Sequence, residues 1–155
     1  FEVIEGGINI MDTVDVPSAE VLFRCPEFEK EVRFFGLHPK PPIPGETKYS
    51  DQLEKELLRT ADYISSLPEE ELVIVSGDLN DVAWSRATMR FKRVSKLLDP
   101  RVGRSFYSTF PTYFPIKIPL DHVFCSKQWN LSDFRILENI GSDHFPFFVE
   151  LVLRD

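Results

Sequence analysis

Apolar positions along the chain follow two spacings, one typical of β-strands and one typical of an α-helix. Short runs rich in β-branched and aromatic residues predict strands at AEVLF (19–23), EVRFFGLH (31–38) and ELVIVSGD (71–78). The segment RCPEFEK is expected to join the first two strands as a hairpin turn. An amphipathic helix is predicted over about residues 49–67, because apolar side chains recur at helical spacing at Leu53, Leu57, Leu58, Ala61 and Ile64.

The second half of the chain repeats this mixture of strand and helix patterns. WSRATMRFKRVSKLL (84–98) predicts a second amphipathic helix, and strands are predicted at LDHVFCS (120–126), LSDFRIL (131–137) and FPFFVELVL (145–153). PKPPIPGET (39–47) predicts a stiff loop, since proline fixes φ and has no N–H to donate. Hairpins combined with β-α-β crossovers predict an α/β layered sandwich.

Length and composition indicate an ordinary folded domain. The chain has 155 residues, of which 43% are hydrophobic and 28% charged. No apolar run approaches the ~20 residues that span a bilayer. Cys25 and Cys125 lack metal-ligand spacing and are expected to be buried strand residues. Because the chain begins with a strand-like FEVI and not with methionine, we expect it to be a piece of a longer protein, whose compartment stays open.

The net charge disfavours one class of partner. A formal charge of −7 and a pI of about 5.0 give an acidic surface, which repels a phosphate backbone. Non-specific binding to duplex nucleic acid is therefore not favoured. A local cationic site or a bound metal can still reverse the field within one cleft, so nucleic acid stays an open partner.

Polar residues gather at the ends of the predicted strands. The three histidines lie in GLHP, LDHVF and GSDHFP, and GDLND ends the strand at 71–78. Each cluster has an ordinary explanation. Asp78 and Asp81 could cap the turn and the following helix, Asp121 could pair with a lysine, GSDH could be a plain turn formed by Ser142 or Asp143, and His38 could be a satisfied strand histidine. Strand ends in layered α/β folds converge on one face, so a single shared site explains all four clusters better than four coincidences do.

Carboxylates in these clusters suit a divalent cation. Mg²⁺ and Mn²⁺ take oxygen ligands, and Mg²⁺ is often held by one or two carboxylates together with substrate phosphate. Asp78 and Asp143 are the candidate ligands. The combination predicts metal-assisted hydrolysis of a phosphoester.

The remaining polar residues suit the proton transfers of that reaction. His144 is the candidate base, because imidazole titrates near neutral pH. Asp121 is expected to fix the tautomer and orientation of His144, and Asn80 and His38 to hydrogen-bond phosphoryl oxygens. Since neighbours along a strand face opposite ways, we predict that Asp121 points into the site and that His122 points away as a structural residue.

The order GLHP, VSGDLN, LDHVF and GSDHFP resembles the endonuclease/exonuclease/phosphatase superfamily over residues 17–153. DVPSAEV, HPKPP, GDLNDVAWS and TFP are similar to its bacterial, uncharacterised branch, some members of which carry membrane helices, so the parent protein could be membrane-anchored. The resemblance implies a four-layer α/β/β/α sandwich with mixed sheets and flanking helices. It also implies an active site with a bound Mg²⁺ or Mn²⁺.

The resemblance implies roles for the same residues that the chemistry selects. In the family, the Asp and Asn of a Gly-Asp-x-Asn motif position water and phosphate, in some members through a second metal ion; Asp78 and Asn80 would correspond to them. Whether Asp78 or His144 is the formal base stays open. The expected catalytic residues are His38, Asp78, Asn80, Asp121 and His144, and the expected metal ligands are Asp78, Asn80 and Asp143.

Two departures from the family pattern shape these expectations. Phe145 stands where many relatives have arginine, and nothing before Asp15 resembles the strand whose glutamate is the main metal ligand. Residues 1–155 are therefore expected to form the C-terminal portion of a single domain, with its N-terminal portion absent and with weak or no activity alone. We expect a dimer, strand exchange or a partner fragment to cover the exposed sheet face.

These patterns predict a Mg²⁺-dependent phosphodiesterase, nuclease or phosphatase acting on a phosphorylated substrate. The alternative is a non-catalytic module that binds a phosphorylated ligand or a protein partner. The substrate is open between DNA, lipid and a small phosphoester. The aromatic and proline-rich loop over 107–119 borders the predicted cleft, where it would either cover the sheet edge or contact a lipid or a flipped base.

Overall fold

A computed structural model describes residues 2–9, 18–27, 29–41 and 47–154. Its elements, in chain order, are β1 (Glu2–Asn9), β2 (Ser18–Cys25), β3 (Lys30–Gly36), α1 (Thr47–Ser66), β4 (Leu72–Asp78), α2 (Arg86–Ser95), β5 (Asp121–Cys125), β6 (Trp129–Ile136) and β7 (Phe147–Leu153).

Two sheets and two helices make up the described fold. The larger sheet has the order β1-β2-β3-β4-β5, in which β3 and β4 are parallel and the other pairs antiparallel. Strands β6 and β7 form a second, antiparallel sheet. The predicted α/β sandwich is confirmed, with one mixed and one antiparallel sheet among the described residues. Within the residues described, the helices form one layer against the larger sheet.

The central strand β4 is apolar on both faces, which explains the continuous run LVIV. Val73 and Val75 pack into the cluster that contains both helices, with Val75 fully buried. Leu72 and Ile74 face the other way and pack in a second cluster with residues of β7. The strand end that carries Asp78 is thereby fixed between two hydrophobic clusters.

Helix α2 is shorter than the predicted 84–98. Its first turn is capped by Ser85, whose Oγ accepts a hydrogen bond from the backbone N–H of Thr88 at 3.0 Å. It ends where Lys96 adopts a left-handed conformation with φ 58°. Leu98 then forms a backbone bridge with Cys125 of β5. Pairing with the sheet edge therefore replaces the last predicted turn of helix.

One interpretation of the sequence made Asp81 the cap of α2, but Asp81 does not cap this helix. Its Oδ1 accepts from the N–H of Val82 at 2.9 Å, and its Oδ2 accepts from the hydroxyls of Ser85 and Thr88. Ser85 is the capping residue because its hydroxyl reaches the N–H of Thr88. Asp81 therefore braces the cap.

The aromatic loop does not act as a simple cover for the sheet edge. Tyr113, Phe114 and Ile116 are 76%, 54% and 73% exposed. A backbone bridge between Phe110 and Ile118 holds the two arms of the loop together. Tyr107 of the same loop packs on Phe134 of β6 with ring centroids 4.2 Å apart, so the loop covers the sheet in part and presents other apolar side chains to solvent.

Other expectations are met or lie outside the described residues. Helix α1 and all the predicted strands are present, and Cys25 and Cys125 are both buried free thiols. Of the proline-rich loop, residues 39–41 have irregular backbone and 42–46 lie outside the description. None of the described helices has the length and apolar character that crossing a membrane requires.

Candidate active site

The ends of β3 and β4 meet closely because Gly77 has no side chain. Its φ is +150°, and a Cβ built there would lie 1.9 Å from the carbonyl oxygen of Leu37. The N–H of Leu37 donates to the carbonyl of Ser76 at 3.0 Å, which extends the strand pairing past the formal end of β3. His38 consequently lies beside Asp78, with Nε2 3.7 Å from Oδ2.

The turn after β4 is organised by the carboxylate that it displays. Asp78 Oδ1 accepts from the N–H of Asn80 at 2.8 Å, and Asn80 takes a left-handed conformation with φ 50°. The Asn80 side chain donates through Nδ2 to the carbonyl of Pro39 at 2.9 Å. Between them, the fully buried Leu79 donates its N–H to the carbonyl of Leu120. The turn leaves Asp78 Oδ2 facing the histidines.

An imidazole lies between two carboxylates at this strand end. His144 Nδ1 is 2.7 Å from Asp121 Oδ2, and His144 Nε2 is 3.6 Å from Asp78 Oδ2. Asp78 and Asp121 are direct partners across the β4–β5 pair. Thr109 Oγ1 donates to the same oxygen of Asp121, and the Phe110 ring packs 4.7 Å from the His144 ring. The Asp121 acceptor requires the proton on Nδ1, so the lone pair of neutral His144 is on Nε2.

The GSDH segment is held against the aromatic loop by backbone hydrogen bonds. The N–H of Phe145 donates to the carbonyl of Thr109 at 2.9 Å, and the N–H of Thr112 donates to the carbonyl of Asp143 at 2.8 Å. The N–H of His144 donates to Ser142 Oγ at 3.2 Å. The segment is therefore both a turn and the support that places His144 in the site.

Two groups of this cluster, His144 and Asp78, have shifted pKa values. Burial alone would lower the pKa of His144, but its hydrogen bond to Asp121 and the charges of Asp121, Asp78 and Asp143 outweigh burial and raise the pKa above the usual value. Burial, assisted by the charge of Asp121, raises the pKa of Asp78, against the lowering effect of the Asn80 N–H. The pKa values of both groups thus lie above their ordinary values.

On the opposite face of β5, His122 belongs to a different polar cluster. Arg101 Nη2 donates to His122 Nδ1 at 2.6 Å, so Nε2 carries the proton and donates to the carbonyl of Asp81 at 2.8 Å. Arg101 also binds the Asp99 carboxylate with two hydrogen bonds of 2.9 Å and the backbone carbonyl of Asp121. Burial, together with the Arg101 charge, lowers the pKa of His122 to about 4. The prediction that His122 points away from the site is confirmed.

The three site residues offer a partial set of metal ligands. One ligand atom each from Asp78, Asp121 and His144 lie within 4.8 Å of one another. Asp121 Oδ2 is already engaged by His144 and Thr109, whereas Asp78 Oδ2 has no hydrogen-bond donor within 3.5 Å among the described residues. Hard divalent cations favour carboxylate oxygens, so Asp78 fits such an ion and further ligands must join it.

The predicted site residues divide into a compact group and one outlying residue. His38, Asp78, Asn80, Asp121 and His144 lie together at the ends of β3, β4 and β5 and in the loop before β7. Asp143 is exposed, with its carboxylate 3.4 Å from the hydroxyl of Ser142. The catalytic and metal-binding roles of all six stay predictions.

The sequence pattern did not indicate the residues that support this group from the loop over 99–110. Thr109 is 1% exposed and binds the Asp121 carboxylate, while the nearly buried Arg101 holds the Asp121 backbone. The segment TFP marked Thr109 only through its resemblance to relatives. Nothing in the sequence paired Arg101 with His122, because their contact depends on how the loop folds back along β5.

Comparisons with known proteins identify the family and the fold of this chain. Residues 6–144 match the model of the endonuclease/exonuclease/phosphatase family. A solved structure of a family protein from Bacteroides thetaiotaomicron has a TM-score of 0.77 at 20% identity, over 99% of this chain and 66% of that chain. No curated protein matches the sequence.

Two further solved structures have similar folds. The mannosyl-6-phosphatase Bt3783 of B. thetaiotaomicron VPI-5482 gives a TM-score of 0.72 at 21% identity, over 98% of this chain and 67% of that one. TDP2 of D. rerio, solved with a single-strand DNA product, gives 0.76 at 13% identity, over 97% and 68%. The chain thus spans about two thirds of the length of these structures.

Proposed function

Because the chain belongs to the endonuclease/exonuclease/phosphatase family, we propose that it carries the proton-transfer side of the active site of a metal-dependent phosphoester hydrolase. The observation that carries this proposal is the position of His144 between two carboxylates. Its Nδ1 is 2.7 Å from Asp121 and its Nε2 is 3.6 Å from Asp78. A histidine oriented by one carboxylate and facing a second suits the deprotonation of water.

His144 acts as the base through Nε2 in this proposal. Asp121 accepts the Nδ1 proton, fixes the tautomer and stabilises the imidazolium that forms when Nε2 takes a proton from the attacking water. Thr109 holds the Asp121 carboxylate in place. Asp78, whose pKa is raised by burial, is the other acceptor within reach, so the assignment of the formal base stays open between the two residues.

Asn80 and His38 contact the phosphoryl oxygens in this proposal. The Asn80 side chain is anchored by one N–H to Pro39, which leaves its second N–H for a phosphoryl oxygen. The His38 side chain is 69% exposed and lies beside Asp78, which suits contact with a substrate arriving from solvent. Both donors would strengthen their hydrogen bonds as negative charge develops in the transition state.

We further propose that Asp78, with Asn80 and Asp143, contributes ligands for Mg²⁺ or Mn²⁺. When bound, the ion neutralises charge on the phosphoryl group. The Oδ2 atom of Asp78 supports a cation here, because it has no hydrogen-bond donor within 3.5 Å among the described residues and hard divalent cations favour carboxylate oxygens. Asp143 is exposed and would have to turn toward the site to take part.

Residues 1–155 are proposed to be the C-terminal portion of a single domain, whose other part supplies the main metal carboxylate. The coverage of about two thirds of similar structures supports this proposal. It predicts weak or no activity for this portion alone. Covering of the sheet face by a second copy or by strand exchange stays a prediction.

The test uses the full-length protein and two chromogenic esters. We expect Mg²⁺- or Mn²⁺-dependent release of p-nitrophenol from bis-p-nitrophenyl phosphate or from p-nitrophenyl phosphate, which separates diesterase from monoesterase activity. The His144→Ala variant should lose the activity by about 10²–10⁴-fold, and chelation should abolish it. Absence of metal-dependent turnover on both esters and on nucleic acid would favour the alternative of a non-catalytic phosphoryl-binding module.

A further inference from the structure

Charge is distributed very unevenly along this acidic chain. Residues 82–120 contain eight basic residues and a single acidic residue, Asp99, and carry a formal charge of +7, while the whole chain carries −7. The Asp99 side chain is only 5% exposed and is neutralised by Arg101. Arg86 and Arg90 are paired with Glu54 of α1, so five of the eight basic residues have no ion pair among the described residues and leave this segment cationic.

The same segment exposes large apolar side chains. Val102, Phe106, Tyr113 and Ile116 are each more than 70% exposed, and Trp84 and Phe114 more than half exposed. We call these six residues, together with Ile118, the apolar rim. Isolated exposed apolar residues are common, but seven of them between residues 84 and 118, two of which are in ring contact, indicate a contact surface.

Part of the apolar rim forms a groove with cationic walls. Trp84 and Phe106 meet edge to face with ring centroids 5.8 Å apart. They line a cavity of about 430 Å³ together with Val102, Lys92 and Arg104. No hydrogen bond or ion pair in the described residues occupies the charged groups of Lys92 and Arg104. Cationic groups thus lie directly beside exposed apolar side chains.

The other part of the apolar rim lies at the border of the candidate active site. Lys117 lies over the ring of Phe145, the residue after His144, at 5.4 Å from the centroid. The N–H of Thr112 donates to the carbonyl of Asp143. Asp143 is the exposed acidic residue that approaches this arm of the loop from the β6–β7 connection. Basic side chains thus accompany both parts of the apolar rim: Lys92 and Arg104 at the groove, and Lys117 beside the candidate site.

We propose that the apolar rim docks on an anionic lipid surface. Aromatic and aliphatic side chains beside lysine and arginine are the combination that partitions into the headgroup region of a bilayer, and the cations are attracted by acidic lipids. A single-stranded polynucleotide would use the cations and aromatic rings. It would leave Val102, Ile116 and Ile118 exposed, since these aliphatic side chains offer no stacking surface.

The proposal does not depend on phosphoester hydrolysis, since docking is measured by binding alone. Full-length protein is sedimented with vesicles of equal parts phosphatidylglycerol and phosphatidylcholine, and separately with pure phosphatidylcholine. We expect stronger binding to the anionic vesicles, weakened about tenfold by high salt because exposed charges are screened. No sedimentation with either vesicle would overturn the proposal.

Variants test whether the apolar rim makes the contact. Phe114→Ser combined with Ile116→Ser should lower the vesicle partition coefficient about tenfold, because both side chains would be buried in the interface. Lys117→Glu combined with Arg104→Glu should abolish the preference for anionic lipid. The matched controls are Val3→Ser, an exposed apolar residue on β1, and Lys55→Glu on α1, which should bind like the wild type. Equal binding by the rim variants and the wild type would contradict the proposal.

A spectroscopic readout separates lipid docking from the other occupants of the rim. An environment-sensitive dye on Ile116→Cys should shift to the blue on addition of anionic vesicles; both native cysteines are buried. A dye that is already blue-shifted without vesicles would show that another part of the protein covers the rim. A shift with a single-stranded oligonucleotide and none with vesicles would show a nucleic-acid surface. Either result overturns the proposal.

Discussion

The two faces of β5 place two histidines in opposite chemical situations. On the face toward the second sheet, His144 lies between Asp121 and Asp78 and its pKa is raised. On the helix face, His122 is 1% exposed, receives a hydrogen bond from Arg101, and has a pKa lowered to about 4. Carboxylate partners keep one imidazole available for proton transfer, while burial against a guanidinium keeps the other neutral and structural.

Asp121 makes contacts on both faces of β5, one through its side chain and one through its backbone. Its side chain orients His144, and its backbone carbonyl accepts a hydrogen bond from Arg101 Nη1 at 2.9 Å. The helix-face cluster thereby fixes the backbone from which the proposed catalytic carboxylate extends. The sequence LDH thus places a proposed catalytic carboxylate and a buried structural histidine at adjacent positions.

The largest expected effect comes from changing only the side chain of Asp121. Asp121→Asn keeps the backbone contact with Arg101 but favours the wrong His144 tautomer, so kcat should fall about 10²–10⁴-fold with a small change in stability. Steady-state hydrolysis of bis-p-nitrophenyl phosphate by the full-length protein measures the effect. Asp133→Asn, a partly exposed carboxylate on β6, is the control and should retain activity. A fully active Asp121→Asn protein would show that Asp121 does not orient His144 for catalysis, and the proposed difference between the two faces of β5 would be wrong.

On the helix face of β5, a substitution of Arg101 is expected to cause a large loss of stability. Arg101→Met leaves the buried Asp99 carboxylate without its partner and should lower the free energy of unfolding by about 3–5 kcal/mol. Urea unfolding measures the loss. Adding Asp99→Leu should recover part of it, because no charge is then left buried, whereas the exposed Arg135→Met should be nearly neutral. A stable Arg101→Met protein would show that this cluster contributes little to the fold.

His122 should make stability depend on pH in a defined direction. Its pKa is about 4 in the folded protein and about 6.5 when unfolded, so between these values the unfolded chain binds the extra proton. The contribution is therefore present above about pH 6.5 and declines as pH falls, by about 2 kcal/mol between pH 7 and pH 5. Urea unfolding at both pH values, on the wild type and His122→Gln, isolates this contribution. Equal pH dependence in the two proteins would contradict it.

Most of the fold and the core of the site were predictable because they depend on local pattern. Apolar periodicity located β4 and α1 within a few residues, and strand alternation separated Asp121 from His122. The cluster of Arg101, Asp99 and His122 was not predictable from the sequence, because it forms only when the irregular loop between α2 and β5 brings Arg101 back along β5. The exposure of Tyr113 and Ile116 was missed for a related reason: hydrophobicity predicts burial only where an element packs against the segment.

The smallest expected effect concerns the support of Asp121. Thr109→Val removes the hydroxyl that donates to the Asp121 carboxylate, which should raise the pKa of His144 further and lower kcat by up to about tenfold. Thr109→Ser keeps the hydroxyl and should behave like the wild type. A Thr109→Val protein with unchanged pH–rate profile would show that Thr109 only fills space.

The measurement that tests the comparison most directly is an NMR titration of the histidine side chains in the protein. We predict that His144 titrates above its ordinary value of 6.5 and loses this elevation in Asp121→Asn, while His122 stays neutral until the pH approaches about 4. If His144 titrated at or below 6.5, or if His122 gained its proton near neutral pH, the two faces of β5 would not differ as described. Asp121 and Asp78 would then not stabilise the imidazolium of His144 as the geometry implies.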